Sequence, residues 1–230
     1  MKRPLVAVVV FPGSNDDRDA AWALGAVGAE PVRVWHEEEE LPSGTGAVVL
    51  PGGFSYGDYL RSGAIASLAP AMDAVRRFAE AGGPVLGICN GFQILCEARL
   101  LPGALLPNRE LEFVCRDAPI RVENADTIFT RVFAVGQELN LPIKHGEGAW
   151  YADDGTFVRL VVRDQIVLRY AEDVNGSLGN VAGVVNDAGN VMGLMPHPEH
   201  AVDPLLGSSD GGLLLAALVD AAAEHLLAPI

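Results

Sequence analysis

Cysteine is scarce in this chain. There are three (Cys89, Cys96 and Cys115) in 230 residues, an odd number, and no two form a Cys-x-x-Cys pair. That excludes a cysteine-rich zinc ribbon and a disulfide framework, and free thiols in a reducing, cytoplasmic setting are expected. Basic residues are also few: 16 Lys and Arg stand against 30 Asp and Glu, for a formal net charge of -14. Such a chain gains nothing by releasing counterions from nucleic acid, and an anionic membrane would repel it. Long apolar runs are missing too. The stretch from Leu5 to Phe11 is too short to span a bilayer, and no small-residue cleavage site follows it. No GxxxxGK[ST] loop is present to cradle ATP, and no HExxH to hold a hydrolytic zinc. With no repeat, low-complexity segment or linker, one domain over residues 1–230 is expected.

Half of the residues are hydrophobic, enough for a substantial core. Leu5 to Phe11 is a continuous β-branched run of the kind found in central parallel strands. PGSND (12–16) reads as a turn with helix-capping residues, and an alanine-rich helix follows to about Val27. Further strands are predicted at 31–35, 46–50 and 85–88, with a helix over 70–81. This alternation implies right-handed crossovers and a doubly wound, parallel α/β sheet. After Leu101 the pattern changes. LEFVCRDAPIRVE, TFVRLVVRDQIVLRY and VAGVVNDAGNVMGLMPHP read as strand-like runs separated by turns, with a hairpin at 187–190 and a closing helix over about 212–227.

The chemistry centres on Gly87-Ile88-Cys89-Asn90-Gly91. This is the spacing of a nucleophile elbow with sulfur in place of the serine oxygen. A sharp strand-to-helix turn strains its central residue, and glycines two positions away relieve the crowding. The helix start favours a thiolate, and the amide of Asn90 is free to bind an oxyanion. The alternative is a buried structural cysteine, which is the reading adopted for Cys96 and Cys115. A nucleophile needs a base. Among five histidines, His36 and His225 read as surface residues, while His145 lies in IKHGEG and His197 and His200 in MPHPEH. The prolines around His197 predict an extended segment in which His197 and Glu199 point to one side. Glu199 would then orient the imidazole toward Cys89. A zinc site built from His145, His197, Glu199 and His200 is the rival, but neither HExxH nor a following P-C-x-x-C supports it.

With GICNGFQ and the later HPE in place, the chain resembles the triad, or class I, glutamine amidotransferases. The wider phrasing PGGFSYGDYLRSGAIAS, LLPGALLPN, PIKHGEG, and NGS followed by VAGVVNDAGNVMGLMPHPE is similar to the glutaminase subunits of phosphoribosylformylglycinamidine synthase. The resemblance implies a flavodoxin-like, mostly parallel sheet with helices on both faces and an additional antiparallel region in the C-terminal half. It implies a Cys89, His197 and Glu199 triad, an oxyanion hole from the amides of Gly53 and Asn90, and Gln93 beside bound L-glutamine. It leaves His145 and Glu147 without a role. It further implies that this chain holds no cofactor or metal. A large synthetase subunit, joined by a small accessory subunit, would use ATP and Mg to convert formylglycinamide ribonucleotide with the ammonia delivered. LLPGALLPN, with Leu105 and Leu106, is expected to be a loop that docks on that subunit. The family commonly has arginine directly after HPE; here the residue is His200. A cysteine hydrolase or chaperone-like protein of the same architecture and a non-catalytic scaffold are the rival functions.

Overall fold

The opening β-branched run forms β1 (Leu5–Val10), buried without exposure from Val6 to Val9. It is followed by α1 (Asp17–Ala26), β2 (Glu30–Trp35) and β3 (Thr45–Leu50), the last buried throughout. Then come α2 (Pro70–Glu80), β4 (Val85–Ile88) and α3 (Asn90–Glu97). The second half contributes β5 (Ala104–Leu106), β6 (Val114–Val122), β7 (Glu138–His145) and β8 (Ala149–Tyr151). It ends with α4 (Asp154–Val162), β9 (Ile166–Tyr170), β10 (Val181–Val185), β11 (Val191–Leu194) and α5 (Asp210–Leu227). These elements are those of a computed structural model that describes residues 3–228. Among the described residues, no helix is long and apolar enough to cross a membrane.

Nine strands form one sheet in the order β2-β1-β3-β4-β11-β10-β9-β6-β7. From β2 to β11 the neighbours run parallel; from β11 to β7 they run antiparallel. The fold is thus α/β and doubly wound, with the antiparallel region in the C-terminal half. The helices α1 and α5 pack on each other and on β1 and β3, and α3 lies across the opposite face on β3, β4 and β11. Glycine lets α3 come that close. Gly87 and Gly193 stand opposite each other on adjacent strands. A Cβ at Gly193 would collide with the Phe92 ring, and one at Gly87 would reach 2.7 Å from the Gly91 backbone.

Away from the sheet edge that carries Cys89 and His197, the structure departs from the sequence expectations at four places. TFVRLVV is helical: Asp153 caps α4 by accepting the Thr156 amide at 3.0 Å. Its valines looked like a strand, yet Val158, Val161 and Val162 are exposed on one helical face while Phe157 and Leu160 pack inward. The long strand β7 carries PIKH, a segment with no strand assignment from sequence. LLPGALLPN is not a plain loop, because β5 pairs antiparallel with β8. Leu105 packs on the core and only Leu106 is exposed, so that segment offers less docking surface than its composition implied. His36 is buried rather than superficial, with Nδ1 2.7 Å from the Tyr56 hydroxyl.

Gly193→Ala should test the glycine floor beneath α3. Overpacking against the unexposed Phe92 should lower unfolding free energy by about 1–3 kcal/mol, read as a reduced urea midpoint. An unchanged midpoint would mean that α3 can lift away freely.

Candidate active site

The strands β4 and β11 are parallel neighbours with Ile88 opposite Leu194. The chain continuing from each therefore leaves the same carboxyl edge of the sheet, the usual position for a site in a doubly wound fold. The Cys89 amide donates to the Leu194 carbonyl at 2.8 Å, clamping the two chain ends together. Cys89 itself has φ +49° and ψ -103° and stands at the N-cap of α3. A left-handed residue with a β-carbon costs of order 1–3 kcal/mol, so the neighbours must hold it. At Gly91 any side chain would strike the Leu50 carbonyl. This crowding explains the Gly-x-Cys-x-Gly spacing. The thiol is 5 % exposed and points toward the Lys144 carbonyl at 3.8 Å.

His197 follows β11, and its amide donates to the Pro142 carbonyl of β7 at 2.8 Å. The segment after it is not extended. Pro198–His200 is a 3₁₀ turn with His197 as its N-cap. Proline at the first helical position has the right φ and lacks only an amide that would be unpaired anyway. The turn still brings His197 Nδ1 to 2.6 Å from Glu199 Oε1, with both side chains buried. His197 Nε2 has no hydrogen-bond partner. Burial alone would push this imidazolium down. The charges of Glu199 and of Cys89 outweigh burial and lift its pKa to about 10.

A second carboxylate lies here that the sequence reading missed. Asp16, taken there as a helix-capping residue, makes no side-chain capping bond. It turns inward instead, with Oδ1 accepting from Lys144 Nζ at 2.6 Å and Oδ2 3.7 Å from His197 Nδ1. His200 Nε2 stands 3.4 Å from Asp16 and 3.5 Å from Glu199. Burial would raise the Asp16 carboxyl, but His200, His197 and Lys144 together hold it well below the usual carboxylate range. His200 thus faces the buried acids. In the sequence, the HPE segment brought His197, Glu199 and His200 together, but nothing tied Asp16 or Lys144 to them.

Asp16, His197, Glu199 and His200 bring possible ligand atoms within 4.8 Å of one another. His145, part of the zinc set weighed from sequence, is not among them. The donor chemistry favours proton handling over a cation. His197 Nδ1 is committed to Glu199, and Asp16 is already neutralised by Lys144.

Cys89, His197, Gly53 and Gln93 line one cavity of about 220 Å³. Asn90 directly follows Cys89 in the chain, and Glu199 lies two residues after His197. The amides of Gly53 and Asn90 have no hydrogen-bond partner among the described residues. Gly53 (φ +141°) follows β3, and a Cβ there would come within 2.5 Å of the Asn15 amide nitrogen. Gln93 is held from both ends, accepting from Asn90 Nδ2 at 2.8 Å and donating to the Glu147 carbonyl at 2.6 Å. His145 is a buried brace: its Nδ1 meets Asn108 Oδ1 at 3.0 Å, fixing the turn that presents Glu147. Cys96 is buried away from this cavity, as expected, but Cys115, expected to be buried too, is exposed on β6 because its side chain faces outward from the strand. The arrangement suits acyl transfer: a thiol at a helix start, an imidazole tied to a carboxylate, and two free amides.

Comparison with known proteins agrees with this chemistry. Residues 3–209 match the CobB/CobQ-like glutamine amidotransferase domain. Phosphoribosylformylglycinamidine synthase subunit PurQ of Rubrobacter xylanophilus is 58 % identical over 217 residues, covering 94 % of this chain and 98 % of the relative. The PurQ subunit of Synechococcus elongatus is 55 % identical over 216 residues, covering 94 % and 97 %. A chain in the PurLQS structure from Thermotoga maritima superposes with a TM-score of 0.88 at 46 % identity, covering 95 % of this chain and 98 % of that one. A glutamine amidotransferase from the same organism, 17 % identical with a TM-score of 0.61, shares the fold. This chain belongs to the CobB/CobQ-like glutamine amidotransferases, among the PurQ subunits of phosphoribosylformylglycinamidine synthase.

Proposed function

We propose that this chain hydrolyses L-glutamine to glutamate and ammonia, and passes the ammonia to a synthetase that makes formylglycinamidine ribonucleotide. One observation carries the chemistry: Cys89 and His197 extend from adjacent in-register strands, with Glu199 bonded to His197 on the side away from its free Nε2. The Cys89 thiolate attacks the side-chain amide carbon. The Gly53 and Asn90 amides take the charge that develops on oxygen. His197 gives its proton to the departing nitrogen, so ammonia leaves and a γ-glutamyl thioester remains. Water then attacks that thioester as His197 accepts its proton. Glutamate leaves and the sulfur anion returns. Glu199 keeps the imidazole oriented and charged, and Asp16 adds a second negative charge behind it.

Ammonia protonates in neutral water and ceases to be a nucleophile, so the product must pass directly to its acceptor. The relatives are named as subunits of a synthase, and one is solved as PurLQS. A large synthetase subunit with a small accessory subunit is accordingly the partner proposed. ATP and Mg belong to that partner, since this chain has no phosphate loop. A reducing cytoplasm would keep Cys89 free.

Cys89→Ala should abolish glutamine-dependent synthesis by the assembled enzyme yet leave synthesis from added ammonium intact; loss of both would break this division of labour. Glu199→Gln should lower glutaminase kcat by about 10²–10⁴-fold. It should also lower the His197 pKa, because the carboxylate that opposes burial has gone. The imidazolium would then deprotonate at lower pH than in the wild type, which nuclear magnetic resonance of labelled histidine would follow. An unmoved His197 titration would show that Glu199 does not set its charge.

A further inference from the structure

Asp16 touches the oxyanion machinery through its backbone as well as the imidazole through its side chain. Its amide donates to the Gly52 carbonyl at 3.3 Å. That carbonyl and the Gly53 N–H belong to one peptide unit, and no peptide bond among the described residues is cis. A trans peptide is planar, with its oxygen and its N–H directed to opposite sides. Fixing the Gly52 oxygen on the Asp16 side therefore sends the Gly53 N–H the other way. That N–H has no partner among the described residues, and Gly53 lines the cavity together with Cys89.

The Asp16 side chain is anchored independently. Oδ1 accepts from Lys144 Nζ at 2.6 Å, and Lys144 pairs with no other acid among the described residues. Lys144 belongs to β7, and its own carbonyl faces the Cys89 thiol at 3.8 Å. Oδ2 stands 3.7 Å from His197 Nδ1, and His200 Nε2 is 3.4 Å from Oδ1. Gly52 is packed among these groups. A Cβ there would strike both the Asp16 carboxylate and the His197 ring, so position 52 has no room for a side chain. Asp16 thus reaches the oxyanion peptide, the imidazole and the residue whose carbonyl meets the thiol.

We propose that Asp16 is a positioning residue. Its amide aims the Gly53 N–H into the cavity, and its carboxylate, latched to Lys144, holds the loop carrying that amide against His197. This rests on the glutaminase reading above and goes beyond a second charge behind the imidazole. It gives Asp16 no contact with glutamine. The latch ties the donor that meets the developing oxyanion to the group that moves the proton, so both are presented together. A misplaced donor weakens transition-state binding while leaving the ground state nearly untouched.

The test uses Asp16→Ala, which removes the latch from one side, and Lys144→Met, which removes it from the other. In the assembled enzyme each should lower kcat for glutamine about tenfold or more, with KM changed by less than about threefold. The double variant should be no worse than the more damaged single one, because the pair acts as a unit. In this chain alone, the Gly53 amide resonance should shift or broaden in both single variants. A kcat within about twofold of the wild type, even with a lowered urea midpoint, would overturn the role and leave Asp16 purely structural. Losses in KM alone, losses that multiply in the double variant, or an unmoved Gly53 resonance would overturn it too. An assembled wild type that does not turn over glutamine would overturn the glutaminase reading itself, and the role with it.

Discussion

The pairing of β4 with β11 is the constraint on which the site depends. One strand ends in the cysteine elbow and the other leads to the histidine turn, and their parallel register sends both to one edge. The hydrogen bond from the Cys89 amide to the Leu194 carbonyl extends that register one step beyond β4. It also helps to hold a left-handed residue that would otherwise relax. The glycines facing α3 serve the same constraint from above, because the helix must lie close for its first amide to reach the carbonyl oxygen in the proposed reaction. Strain, close packing and catalytic geometry are thus one problem solved at one place.

Electrostatics complete what the register begins. An imidazole with no solvent exposure would ordinarily be neutral. Here the charge of Glu199, bonded to the ring, and the charge of Cys89 tip the balance toward the charged ring. Lys144 and His200 keep Asp16 itself ionised despite its burial. The part of the cavity near His197 therefore has paired charges suited to moving protons.

The motifs that were legible in the sequence are those whose physics is local. The Gly-x-Cys-x-Gly spacing follows from crowding within five residues, and the parallel strands from continuous apolar runs. The α4 helix was misread because its valines favour strands one by one, and only the Asp153 cap and the inward spacing of Phe157 and Leu160 reveal a helix. The HPE segment paired His197 with Glu199 as expected, but through a 3₁₀ turn, since proline fits an extended chain and a helical start equally well. Asp16 was invisible. A carboxylate after a strand and before a helix usually caps that helix, and nothing nearby announces a lysine from β7.

By itself, the sequence determined the alternating α/β framework, the strained elbow with its cysteine, and the residue types able to do acyl transfer. Each is written in neighbouring residues, where backbone sterics act. The tertiary structure alone decided that β11 inserts beside β4 and that Asp16 and Lys144 join His197. These depend on strand order and on burial, and charges made adjacent by folding carry no trace of that proximity in the linear order.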